Sequence, residues 1–348
     1  MVLRADPHSL TRLLSMLRWR PRYRGEDKLP LIVWMMSHAF QQDLPAALHS
    51  WAVNLLPLVF SKKCSYSSQS IHLILQFVEM ILSSNQEARD VFLNEPVRPS
   101  GMRLIPPHSF EMLLLLACPA RVEEATTERF QAIYPLLKEV ALAPDSRSAG
   151  ELKHIFAFSL KFAGLKEFPA LASEATAIAF SLLTQNVDCF MQWDVLYKEY
   201  LEASVALLKK LVDERWWIPK LLSSSPTDNL IFEHAMNSFM MKNEIAAIIE
   251  EVANLSLYQE ADYLCKLLSY LNKSNLNAAK MDPSDLKLVE DKSYGVSAAE
   301  EIEKAIVSLS LSEAAKKMDP SPLAAKMDPS DLKTNHTVLV QLRKLKRR

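Results

Sequence analysis

Glycine is nearly absent from this chain. Five glycines stand among 348 residues, where ordinary usage would place about 24. Glycine serves backbone positions with positive φ, tight hairpins and loops that approach phosphates closely. A chain this poor in it can build neither a hairpin-rich sheet nor a glycine-lined nucleotide fold, and helices are the element left to it. The glycines at positions 25, 101, 150, 164 and 295 are also too scattered for a Walker loop or a dinucleotide fingerprint.

The side-chain pattern agrees. Helical spacing predicts Leu29–Phe40, Pro45–Phe60, Ser68–Leu82, Ser109–Cys118, Ala125–Ala143, Glu151–Gly164, Pro169–Thr184, Cys189–Asp213, Asn229–Asn254 and Leu257–Leu271, divided by Pro, Ser and Asn clusters. In the third, Ile71, Ile74, Val78 and Ile81 oppose a thin polar stripe of His72, Gln76 and Glu79. A helix apolar around most of its girth needs cover on more than one side. Trp193, Tyr197, Leu201, Val205, Leu208 and Val212 keep one-face spacing through the longest segment. Helices of this length joined by short links predict an all-α fold of stacked antiparallel hairpins, an α-solenoid of HEAT or armadillo type, with no repeated sequence signature.

Three regions follow. Residues 1–28 hold a short helix and a basic segment, 29–272 the helical core, and 273–348 a tail expected to be poorly ordered. The tail repeats Ala278–Lys287 (AAKMDPSDLK) as Ala324–Lys333, with a degenerate copy at Ala314–Leu323. In each repeat Asp suits an N-cap and Pro the first helical position, as Asp282 and Pro283 do. Ser297–Glu313 between them is amphipathic, with Ile302, Ile306 and Leu309 on one side.

Net charge is -1, so no global field draws the molecule to nucleic acid or anionic lipid. Cys64, Cys118, Cys189 and Cys265 form no CxxC pair and read as buried free thiols in a reducing compartment. No apolar run reaches the ~18–20 residues of a membrane span, and no signal peptide opens the chain. GxSxG, HExxH and EF-hand patterns are missing. His72 and Glu79 offer two metal ligands without a third, and His38, His49, His154 and His234 read as solvated side chains. We therefore expect no enzyme, no cofactor and no metal site.

Two binding features remain. Arg18, Arg20, Arg22 and Arg24 interleave with Trp19 and Tyr23, a composition suited to the phosphates of RNA or of anionic lipid, with nucleic acid the less favoured ligand; the competing reading, which the pattern favours, is a solvated linker capped by nearby Glu26 and Asp27. Phe190, Trp193, Tyr197 and Tyr200 supply aromatic anchors for a partner protein if they face a groove, and core filling if they do not. Lys344 and Lys346 match a dilysine retrieval signal, which acts only on membrane-anchored chains. Sequons at Asn254, Asn272 and Asn335 need a luminal route to matter.

Gly25–Met35 (GEDKLPLIVWM), Arg103–Glu111 (RLIPPHSFE), Thr127–Ala143 (TERFQAIYPLLKEVALA), Glu174–Ala179 (EATAIA) and Thr184–Lys210 (TQNVDCFMQWDVLYKEYLEASVALLKK) resemble the transmembrane protein 214 family, especially its plant-type members. Asn237–Glu244 and Glu260–Leu267 fit the same resemblance, which spans residues 20–272. It implies a membrane protein of the endoplasmic reticulum, possessing a large helical cytosolic region and no catalytic residues. Animal members are linked to stress-induced apoptosis, holding an initiator procaspase at the reticulum. This chain departs from the family in lacking its long N-terminal half, and in carrying the AAKMDPSDLK tail where relatives have a hydrophobic segment. The expected function is a non-enzymatic helical scaffold on the cytosolic face of the reticulum, or of the Golgi, with a protein partner. The alternative is a cytosolic adaptor that binds RNA or anionic lipid through Arg18–Arg24.

Overall fold

The computed structural model describes residues 13, 14, 16, 20, 25–41, 43–60, 66–83, 88–118, 124–214, 216–249 and 254–279. Internal contacts divide the chain into residues 1–279 and 280–348, and every described residue belongs to the first unit. The expected low-order tail and its repeats beyond Ala279 lie outside the described residues.

The fold is all-α. α1 (Leu29–Ala39) enters from a 3-10 turn at Glu26–Lys28, and α2 (Leu44–Ser50) is capped by Asp43, whose carboxylate accepts from the Ala46 N–H at 2.8 Å. α2 continues through a π-helical turn at Trp51–Leu55 into α3 (Leu56–Phe60). The single helix predicted for Pro45–Phe60 is thus widened midway. Pro57 has no N–H for the Val53 carbonyl and its ring crowds that oxygen, so an α-turn there would be strained.

α4 (Ser68–Ser83) and α5 (Ala88–Asn94) follow, then a turn closed by an isolated antiparallel bridge between Val97 and Arg103. Gly101 makes that turn with φ of 84°, where a side chain would be strained. Beyond it come α6 (Pro107–Ala117), α7 (Glu124–Leu142), α8 (Ala149–Ala163), α9 (Pro169–Gln185), α10 (Asp188–Leu196), α11 (Leu201–Asp213), α12 (Trp217–Ser224), α13 (Pro226–Ile248) and α14 (Leu255–Ala279). α14 carries helix past residue 272, the boundary expected from composition.

These helices stack as hairpins in two rows. α3, α6, α8, α10 and α13 pack in succession along one row. In the other, α4 packs on α7, α9 on α11, and α11 on α14. Within hairpins, α6 packs on α7, α8 on α9 and α13 on α14, which is the solenoid arrangement expected from the helical spacing. Fully buried aromatics run the length of the array: Trp51, Phe92, Phe110, Phe130, Phe156, Phe190, Trp193, Phe232 and Phe239. Each such ring removed from water contributes roughly 1.5–3 kcal/mol.

Polar ties lock neighbouring hairpins. Ser109 Oγ donates to the Ala52 carbonyl at 2.9 Å and the Trp51 indole to the Ile74 carbonyl at 3.1 Å. Arg103 is wholly buried. Its guanidinium caps the C-terminal end of α7 by donating to the carbonyls of Val140 and Ala143, and reaches Ser148 Oγ at 2.6 Å. Burial lowers its pKa to about 10, against the opposing pull of Glu151 and Asp145.

One predicted helix breaks. Cys189–Asp213 reads as continuous, yet residues 197–200 form a turn between α10 and α11. Trp193, Tyr197, Leu201, Val205 and Leu208 are nevertheless buried. The shared spacing serves two helices in different rows, and the turn between them lets the Trp193 indole donate to Ser204 Oγ at 2.9 Å.

Candidate functional site

Along the second row, α7 and α9 are the neighbours whose backbones do not pack closely. α8 holds α9 from one side and α6 holds α7, so the two helices remain in place with space between them. A cavity of about 650 Å³ opens there, a volume within the range of ligand pockets. Leu93 of α5, Pro135 and Leu142 of α7, and Ala143 and Pro144 beyond it give apolar wall; Arg89, Lys138, Glu139, Ser181 and Gln185 stand among them.

The polar groups are tied to one another. The Arg89 guanidinium donates to both Glu139 oxygens at 3.0 and 2.8 Å, and Gln185 Nε2 donates to Ser181 Oγ at 3.0 Å. Lys138 Nζ reaches Glu174 Oε1 at 2.6 Å, and the same oxygen accepts from the Tyr134 hydroxyl at 2.9 Å. This bridge joins α7 to α9. Burial, with the Glu174 charge added, raises the Tyr134 phenol far above its ordinary range. Burial and Glu174 also raise the half-buried Cys118 thiol. A thiol so raised is a poor nucleophile, and the arrangement offers shape and polarity rather than an activated acid or base.

The aromatic residues named as partner anchors lie elsewhere. Phe190, Trp193 and Tyr197 are fully buried, and the anchor reading gives way to core filling at all three. Their rings pack with α13: Trp193 on Phe239 at 4.9 Å, Tyr197 stacked on Phe239 at 4.1 Å, and Phe190 edge-on to Phe232 at 5.4 Å. The Tyr197 hydroxyl donates to Asn243 Oδ1 at 2.9 Å, deep in the same cluster. Tyr200 is half-buried in the turn, and a hydrogen bond with Glu199 raises its phenol.

Arg18, Arg22 and Arg24 lie outside the described residues, while Arg20 is described and exposed. His72 and Glu79 are brought together by a third residue, and it is a cation. Arg129 of α7 clamps Glu79 at 2.9 and 2.7 Å and contacts His72 Nδ1 at 2.9 Å, so a guanidinium links the two side chains. No metal-holding cluster occurs among the described residues. His38, His154 and His234 are exposed as expected, but His49 is buried against the Arg103 carbonyl, 3.0 Å from its Nδ1. Its partner is 54 residues away, and nothing local announced it. Cys189 and Cys265 are buried free thiols, Cys118 is free and half-buried, and Cys64 lies outside the described residues.

No described helix is long and apolar enough to cross a membrane. Compared with protein-family models, curated proteins and solved structures, the chain matches none.

Proposed function

We propose that this protein is a non-enzymatic helical scaffold of the cytosolic face of the endoplasmic reticulum, holding a partner protein in the groove between α7 and α9. The observation that carries the reading is the open step itself: a stacked array that packs closely along one row parts at this point of the other. Stacked helical hairpins bind peptides through such gaps, with apolar side chains entering and polar groups at the rim. The walls of Leu93, Pro135, Leu142 and Pro144 suit two or three apolar side chains of a partner segment, and the Arg89, Glu139 and Gln185 groups suit polar residues flanking them. The location at the reticulum rests on the sequence resemblance.

The test is a peptide selection on the full chain, repeated on Ser181→Trp, whose indole would occupy the cavity. Enriched peptides should bind the parent and lose affinity for the variant, with melting unchanged. A photo-crosslinking residue at Gln185 should label the same peptides. Peptides that bind Ser181→Trp as well as the parent would sink the groove. For location, the expressed chain should follow reticulum markers on fractionation; a purely cytosolic distribution would refute that part alone.

A further inference from the structure

α1 is apolar around most of its circumference: its eleven residues, LPLIVWMMSHA, include no Asp, Glu, Lys or Arg. One side is used by the fold. Leu29, Val33, Met36 and Ala39 are buried, and α1 packs on α2 and α4. At 100° per residue these four share one face, and Leu31, Trp34 and His38 fall on the opposite one. That outward side is where a surface helix carries its charges, yet Leu31 is 56% exposed and Trp34 57%. The Trp34 ring is held in position by His38, whose ring centre lies 4.4 Å away and whose Nδ1 sits 3.0 Å from the Trp34 carbonyl. Leu13 and Met16, earlier in the chain, are exposed as well.

The charge of the sequence leading into α1 is unlike that of the whole chain. Positions 4–28 carry seven Arg and Lys against three Asp and Glu, a local net of +4 in a chain whose total is -1. Two of those three acids are engaged: Glu26 accepts from the Ser67 N–H and from the hydroxyls of Ser67 and Ser70, and Asp27 pairs with Lys28. The segment that precedes α1 is therefore net positive with both of these acids counted.

We propose that the outward face of α1, Leu31 and Trp34, docks on an anionic lipid surface, assisted by the basic charge that leads into it. Tryptophan settles at headgroup depth with its ring in the apolar boundary, and aliphatic side chains enter beside it. Basic residues near the surface add attraction to anionic lipid of about 1 kcal/mol each. With eleven residues α1 is about 16 Å long, half the thickness of a hydrocarbon core, so it lies along the membrane and does not cross it. RNA fits less well. Leu31 gives a base nothing to stack on, and His38 already faces the Trp34 ring.

The inference takes its ligand from the membrane-face reading and uses no part of the groove. The experiment is flotation of the full chain with phosphatidylcholine vesicles, with and without phosphatidylserine, at two salt concentrations. Binding should require phosphatidylserine and weaken in salt. Arg20→Gln should weaken it about fivefold, and Leu31→Ser with Trp34→Ser on the order of tenfold or more. Both side chains face solvent, so the melting curve should stay in place, and the double variant should still capture groove peptides. No binding to phosphatidylserine vesicles, or binding unchanged in the double variant, overturns the proposal. Retention of a single-stranded RNA oligonucleotide without retention of vesicles overturns it in favour of nucleic acid. Loss of groove peptides with vesicle binding intact would instead sink the groove and leave this face standing.

Discussion

The step from α10 to α13 and the step from α7 to α9 each join neighbouring hairpins, and they are built from opposite materials. Five large rings close the first: Phe190, Trp193 and Tyr197 from one side, Phe232 and Phe239 from the other. Asp194 and Lys242 seal its edge at 2.8 Å. At the second step the facing side chains are Pro135, Lys138, Leu142, Ser181 and Gln185, and a Lys138–Glu174 bridge spans what rings would have filled. Aromatic volume draws two helices into one core, whereas small and charged side chains leave them apart. The same repeat architecture thus yields a seam that stores stability and a seam with room for a guest.

If that contrast is right, changes at the closed step should be read in stability. Trp193→Ala removes a fully buried ring that packs on Phe190, Phe239 and Phe156. It should cost ~3–5 kcal/mol, measured as a fall in the denaturant midpoint with the slope unchanged. A shift below ~1 kcal/mol, small for a core ring, would break the comparison. Tyr197→Phe is subtler. Asn243 Nδ2 already lacks a partner in the buried cluster, and this change strips its Oδ1 of the Tyr197 hydroxyl. Leaving both ends unpaired should cost roughly 1–3 kcal/mol, and adding Asn243→Leu should recover part of it.

The closed step also predicts an alkaline limb. Burial pushes the Cys189 thiol from 9.0 up to about 12, with Lys153 opposing and Asp188 adding. Cys265 is raised by burial as well, with Asp262 adding. A raised acid keeps its proton in the fold and releases it more readily when unfolded. Stability tied to Cys189 is therefore full below pH 9 and declines as pH climbs toward about 12, by about 1.4 kcal/mol per unit. Cys189→Ala should flatten that decline in pH-resolved denaturation, and an unchanged slope would count against the thiol.

The contrast between the seams was only half visible in the residues. The all-α class follows from scarce glycine and 3.6-residue spacing, and α4 shows its predicted polar stripe on the exposed side at His72 and Gln76. Burial of Trp193 and Tyr197 was equally implicit in their spacing, although the break at residues 197–200 was not, because the apolar period runs through it. Arg103 could not be found by such means. An arginine beside Leu104 and Ile105 looks like any solvated cation, and the carbonyls it caps lie 37 and 40 residues away. The groove shares that obstacle. Arg89, Lys138, Glu139 and Gln185 each read as an ordinary polar face, and only packing among α5, α7 and α9 makes them one wall.

The smallest expected effect on stability is the most informative about the open seam. Arg89 and Glu139 are paired across α5 and α7 with side chains 59% and 47% exposed. Water competes for both charges, and such pairs contribute ~0–1 kcal/mol. Arg89→Ala should therefore leave the denaturant midpoint within about 0.5 kcal/mol of the parent, as surface changes usually do. Its consequence should appear in binding, because the change lowers one wall of the cavity and frees the Glu139 carboxylate. Peptides with an acidic residue beside their apolar anchors should then lose affinity, since a lone carboxylate replaces a neutral pair, while peptides with a basic residue there should gain. Titrating both kinds against parent and variant gives the decisive readout. Equal affinities throughout would remove Arg89 from the site. A stability loss as large as that of Trp193→Ala would show that the second seam is core like the first.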